Sequence, residues 1–176
     1  MKPRLVVLSD LFGKQEIDWF QEYEKLLSGQ FEIVFYDSCE LAGIHEKDGS
    51  EQVLHQQFVS GGIDKAVDQL LILEKKPVYL LAFSIGGTIA WKASLKGFKA
   101  IKLVATSSTR LRYEIQKPVT LIELWYGEQD FYKPSTQWIQ EIELTNVKIL
   151  EGVSHTMYKE PEIIEQICKS ILMDVR

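Results

Sequence analysis

Cysteine is scarce in this 176-residue chain: Cys39 and Cys168 are the only two. Two are too few for the disulfide framework of a small secreted domain, so both read as buried or half-buried thiols in a reducing compartment. The three histidines are widely spaced and the two cysteines lie far apart. That makes no metal-ligand pattern, and no metal is expected. The single asparagine, Asn146, stands outside any glycosylation sequon. Basic charge is not in excess: 20 Lys and Arg against 25 Asp and Glu leave −5. Such a balance offers no electrostatic footprint for nucleic acid or an anionic membrane. The longest apolar run, Val78 to Phe83, falls far below the ~20 residues that span a bilayer. Leu5 to Leu8 is too short for the apolar region of a signal peptide. The expectation is a cytoplasmic protein without a membrane span. There is no repeat, no G-x-G-x-x-G and no P-loop lysine.

What remains is an ordinary globular composition, 45% hydrophobic and 26% charged. At roughly 100–200 residues per domain, residues 1–176 read as one domain with little room for a second. Short runs rich in β-branched residues alternate with helical patterns. Leu5 to Leu8 reads as a buried parallel strand. Ile17, Phe20, Tyr23, Leu26 and Leu27 recur at helical spacing, and Gly29 stops that helix. Phe31 to Tyr36 is the second strand, and residues 37–49 read as loop. Ser50 can cap a helix that Gly61-Gly62 interrupts and Pro77 terminates. Val78 to Phe83 is the most apolar strand and is expected at the sheet centre. Ile85 to Lys96 is helical, Lys99 to Ala105 a strand, Thr106 to Lys117 polar loop, and Val119 to Tyr126 a strand. Pro134 opens a helix, Val147 to Leu150 is the sixth strand, and Pro161 opens the last helix. The four tryptophans, Trp19, Trp91, Trp125 and Trp138, fall on element faces and are expected in the core. The fold class is therefore α/β, with about six mainly parallel strands covered by helices on both faces.

Ligands of parallel sheets sit at the carboxyl ends of the strands. Ala82-Phe83-Ser84-Ile85-Gly86-Gly87 joins the third strand to a helix with no linker. The turn must be sharp, and small residues at 82 and 86 let the two backbones pass closely. A serine there projects its hydroxyl from the sheet end, beside the N–H of Ile85 at the helix start. The alternative is an ordinary serine N-cap. A nucleophilic serine needs a base and an orienting acid. Asp130 follows the fifth strand and His155 the sixth, at the same sheet edge. Glu128 could also supply the carboxylate, and His45 and His55 are rival bases in the crossover before the third strand.

These motifs resemble the α/β-hydrolase family over nearly the whole chain. Leu8 to Gly13 stands in the place of the family's oxyanion loop, and Asp37 to Gly43 in that of the loop after the next strand. Residues 82–87 resemble the nucleophile elbow, Gly127 to Asp130 the acid loop, and Gly152 to His155 the histidine loop. The resemblance implies a small serine hydrolase, esterase- or lipase-like, without a cap domain or cofactor. Ser84 would be the nucleophile, His155 the base and Asp130 its orienter, with the N–H groups of Ile85 and Leu11 as the oxyanion hole. Three departures stand out. Ala82 replaces the first elbow glycine. Ser9-Asp10 stands where the family often has His-Gly, so a role for Leu11 requires Asp10 to point away or be paired. Only Thr106 to Pro118 separates the fourth and fifth strands, which leaves no inserted lid.

Phe12, Phe131, Tyr132, Met157 and Tyr158 neighbour the motif residues and could line an acyl site or pack the loops. A lidless site suits small activated esters, or an acyl group delivered on a carrier as a thioester. A non-catalytic binding protein on the same fold, and an acyltransferase using the same residues, remain as alternatives.

Overall fold

A computed structural model describes residues 2–45, 50–173 and 175. The described residues form six strands: β1 (Arg4–Leu8), β2 (Glu32–Tyr36), β3 (Val78–Phe83), β4 (Ala100–Thr106), β5 (Leu121–Gly127) and β6 (Val147–Leu150). All pair in parallel, in the order β2-β1-β3-β4-β5-β6. Near-continuous apolar runs such as Val-Tyr-Leu-Leu-Ala-Phe suit strands covered on both faces. As the sequence predicts, β3 lies inside the sheet, between β1 and β4.

The helices are α1 (Phe20–Leu27), α2 (Ser38–Ala42), α3 (Glu51–Gln57), α4 (Ile63–Leu73), α5 (Ile85–Leu95), α6 (Thr136–Glu141) and α7 (Pro161–Met173). On one face, α4 buries Ile63, Ala66, Val67 and Leu70, a single helical stripe, beside α2 and α5. On the other, α1 buries Phe20, Tyr23 and Leu27 beside Ile163, Ile164, Ile167 and Ile171 of α7. Fully burying each Ile, Val, Leu or Phe among these contributes roughly 1.5–3 kcal/mol before entropy is counted. The chain leaves β1 for β2 on one side, then crosses back to β3 on the other. That reversal opens a crevice between the carboxyl ends of β1 and β3. No helix of the described residues is long and apolar enough to cross a membrane.

Two readings need correction. Residues 37–49 are not all loop: Ser38–Ala42 is a helix, while residues 46–49 lie outside the described residues. Asp37 caps α2 by accepting from the N–H groups of Cys39 and Glu40, and Gly43 ends it at φ 67°. Val119 is exposed rather than part of β5, which begins at Leu121 because its pairing with β4 starts at Lys102. Trp91, Trp125 and Trp138 are buried as expected, whereas Trp19, just before α1, is only half-buried against the core.

Between β4, β5 and α7 lies a buried polar knot. Lys102 Nζ donates to Glu123 Oε2 at 2.6 Å, and Lys148 Nζ to Oε1 at 3.0 Å. Ser170 Oγ and Trp125 Nε1 also donate to Oε1. Burial pushes the Glu123 carboxyl up, but the donors Lys102, Ser170 and Lys148 outweigh it and hold the group at about 2 against an ordinary 4.5. A depressed folded value stabilises fully above about pH 4.5, and that contribution drains as pH falls toward 2. The knot is expected to supply about 3 kcal/mol of the acid-sensitive part of folding stability. Denaturant titrations at several pH values should show a steep acid limb in the wild type and a flatter one in Glu123→Gln.

Candidate active site

Ser84 lies between the last residue of β3 and the first of α5. Its backbone sits at φ 49°, ψ −115°, where a non-glycine residue costs about 1–3 kcal/mol. An N-cap serine has extended backbone and accepts an N–H from the first helical turn. Ser84 has neither feature, since its side chain makes no cap hydrogen bond. What holds the strained turn is close backbone contact. A Cβ at Gly86 would meet the carbonyl oxygens of Ser9 and Leu8 at 2.6 and 2.8 Å. The Ser84 N–H is tied to the Thr106 carbonyl at 2.8 Å.

Ser84 Oγ lies 3.1 Å from His155 Nε2, and His155 Nδ1 lies 2.7 Å from Asp130 Oδ2. Asp130 is buried in the turn after β5, and its other oxygen accepts the Tyr132 N–H at 3.1 Å. With Nδ1–H donating to this carboxylate, Nε2 keeps its lone pair toward the serine hydroxyl. The rival carboxylate, Glu128, turns away to accept the Gly152 N–H at 3.0 Å. His155 opens a 3-10 turn, His155–Lys159. Its carbonyl accepts from Ser107 Oγ at 2.6 Å, and Ser107 itself sits at φ 50° just past β4. Ser107 was invisible to sequence reasoning beyond its place after a strand. His45 is exposed, whereas His55 lines the cleft from α3.

The loop after β1 is pinned from below. Ser38 donates its hydroxyl to the Ser9 carbonyl at 2.7 Å and its N–H to Ser9 Oγ at 2.8 Å. The Cys39 thiol donates to the Leu11 carbonyl at 3.2 Å. Asp37 accepts the Lys14 N–H at 2.8 Å. A cap residue and a left-handed glycine six positions on were the available signals for this short helix. Asp10 is buried, and its carboxylate is paired: Tyr158 donates its hydroxyl at 2.9 Å, Phe12 its N–H at 3.1 Å, and Lys159 Nζ stands 3.6 Å away. Burial raises the Asp10 carboxyl above its ordinary value, and these partners oppose the rise. Leu11 and Ile85 both line the cleft. Ile85 is the first residue of α5, a position whose N–H has no intrahelical acceptor.

The cleft has a volume of about 860 Å³ and contains Ser84, His155 and Asp130. Phe12, Tyr132 and Tyr158 line it. Met157 does not: its side chain is fully buried in the core beneath α1 and α7, because the 3-10 turn directs it into the sheet face. Phe131 does not either. It is 88% exposed and stands edge-on to Tyr132, directed to solvent by the turn. Between β4 and β5 there is a 3-10 turn, Thr109–Tyr113, where a cap would be inserted. A wall comes instead from the other crossover, through Ser50, Glu51, Gln52 and His55 at the start of α3. Arg110 and Arg112 also line the cleft, which sequence reasoning missed, since nothing in their spacing marks them.

Taken together, these groups can pass the Ser84 proton to an imidazole held by a buried carboxylate, next to a helix N-terminus. The Cys168 thiol is no competing nucleophile, because burial pushes it up to about 12.

Neither family models nor the curated proteins contain a match to this sequence. Solved structures do. A hydrolase of the α/β superfamily from Xanthomonas campestris superposes with a TM-score of 0.69 at 14% identity, covering 98% of this chain and 99% of that one. Alpha/beta hydrolase domain-containing protein 10 from mouse gives 0.69 at 16% identity, covering 99% and 90%. An alpha-beta serine hydrolase homologue from Coxiella burnetii gives 0.66 at 16% identity, covering 97% and 89%. The sheet order, the crevice and these superpositions agree that the chain has the α/β-hydrolase fold.

Proposed function

We propose that the protein is a serine hydrolase that cleaves a carboxylic ester or thioester through an acyl-enzyme on Ser84. The observation that carries the reading is the continuous hydrogen-bonded chain from Asp130 through His155 to Ser84, at 2.7 and 3.1 Å. His155 Nε2 takes the Ser84 proton as Oγ attacks the substrate carbonyl carbon. Asp130 holds the tautomer and stabilises the imidazolium. The oxyanion of the tetrahedral intermediate is met by the N–H groups of Ile85 and Leu11. Collapse expels the alcohol or thiol, which takes the proton back from His155. Water then enters by the same route in reverse and releases the acid. The substrate is a small molecule or an acyl group on a carrier.

The hydrolase descriptions of the similar structures favour this reaction class. A non-catalytic binding role would be favoured by a serine out of reach of the histidine, or by Asp10 occupying the oxyanion position. Instead Oγ is within hydrogen-bond reach, and the Asp10 carboxylate is engaged by Tyr158 and Phe12. Two buried cysteines, too few for a disulfide framework, suit a cytoplasmic setting. A fluorophosphonate probe is the direct test. It should label the wild type and spare Ser84→Ala; a folded wild type that stays unlabelled sinks the hydrolase reading.

A further inference from the structure

Arg110 and Arg112 sit on the 3-10 turn after β4 and face the cleft that holds Ser84. In an acidic chain an arginine ordinarily finds a carboxylate. Arg4 does, meeting Glu74 at 2.8 Å and Glu32 at 2.7 Å. Among the described residues, Arg110 and Arg112 have no ion-pair partner, and Arg110 Nε is buried with no hydrogen-bond acceptor. A buried guanidinium donor without an acceptor loses its hydration and gains nothing in return.

The two cations are also close together. Both lie over the Tyr113 ring, Arg110 at 5.1 Å and Arg112 at 4.3 Å from its centroid. Cation–π attraction offsets part of their mutual repulsion but supplies no counter-charge. Arg112 is already occupied: it donates to the carbonyls of Thr109 and Tyr132 at 2.8 and 3.3 Å, and to the Tyr113 hydroxyl at 2.7 Å. Arg110 is left as the guanidinium with donors to offer.

The remaining charges of the cleft do not fill that role. Asp130 is paired with His155, and Asp10 with Tyr158 and Lys159. Glu51 is exposed on the first turn of α3. His55, also on the cleft wall, registers the local field. Burial lowers its imidazole below the ordinary value, and Arg110 and Arg112 lower it further, against a smaller opposing effect of Glu51. Two arginines thus act on this ring against one carboxylate.

We propose that the cleft takes an ester or thioester whose far end carries a compact anion, a carboxylate or a phosphate, seated on Arg110. Arg110 Nε is too buried for a ligand to reach; the two terminal Nη groups are the donors left for the cleft, and side by side they match either anion in bidentate geometry. The inference rests on the hydrolase reading above and deepens it by naming the substrate class.

The test uses fluorophosphonate probes of matched length ending in methyl, carboxylate or phosphate, with graded spacers. The readout is the second-order rate of Ser84 labelling. In the wild type the better anionic probe is expected to react at least tenfold faster than the methyl probe, and the carboxylate and phosphate arms identify which anion fits. That ratio should collapse toward one in Arg110→Gln and survive in part in Arg110→Lys. It should also shrink with added salt in the wild type, which keeps the test decisive if Arg110→Gln does not fold. Equal labelling by all three probes, or an unchanged ratio in folded Arg110→Gln, overturns this inference while leaving the hydrolase reading intact. No labelling by any probe overturns both.

Discussion

Ser84→Ala is expected to lower kcat on an activated ester by about 10⁴–10⁶-fold, the range that follows removal of a nucleophile, the role proposed for Ser84, while its proposed base and orienter remain. Asp130 and His155 have nothing to act on once Oγ is gone, so His155→Ala and the double variant should cost about as much as the single one. Effects that multiplied across the pair would instead mean that the two residues do not work as a unit. The backbone at this position provides a second readout. Ser84 is held at φ 49°, a strained region for any residue with a Cβ. Ser84→Gly removes that strain and loses some stability through a more flexible unfolded chain. The balance is a gain of about 0.5–2 kcal/mol. An inactive but more stable Ser84→Gly, seen in paired kinetic and thermal-melting measurements, is the expected pattern of a residue held in place for chemistry. A glycine variant less stable than wild type would contradict it.

Gly86→Val should be the most damaging substitution to the fold near the site. Its Cβ would lie 2.6 Å from the Ser9 carbonyl oxygen and 2.8 Å from that of Leu8. Both are main-chain atoms at the end of β1, one of them already bonded to Ser38. Neither can swing aside like a flexible side chain. The helix must tilt away from the sheet or the loop after β1 must move, and either breaks packing around residues that are fully buried. A loss of more than about 4 kcal/mol is expected, which for a domain of this size is a fall of roughly 10–15 °C in Tm. Gly29→Ala is the control, since nothing lies within 4 Å of its Cβ position and it should change stability by no more than about 0.5 kcal/mol. If Gly86→Val melts like Gly29→Ala, close contact between α5 and the end of β1 is not what supports the turn.

Much of this molecule was legible from local pattern. The strands at Val78–Phe83 and Val147–Leu150 have the observed bounds, because a run of apolar residues between breakers is a local signal. α2 escaped because its five residues are too few to show a period; its capping residues were the only sign. Among the candidate site residues, Phe12 and Tyr158 reach the cleft and Met157 and Phe131 do not. Adjacency to a motif residue could not separate them, since side-chain direction in a short turn follows no period.

Alternation of strands and helices is written in the sequence by itself, and so is the order Ser84, Asp130, His155 after three strands of one parallel sheet. Parallel topology puts those strand ends on one edge, so proximity follows from connectivity. Distances, pairing and charge balance belong to the tertiary structure. Tyr158 reaches Asp10 across 148 positions of sequence, and Ser107 reaches the His155 carbonyl across 48. Whether Arg110 meets a carboxylate depends equally on where distant loops arrive. Hydrophobic periodicity is a property of neighbouring residues, whereas the satisfaction of a buried polar group depends on every element that packs around it.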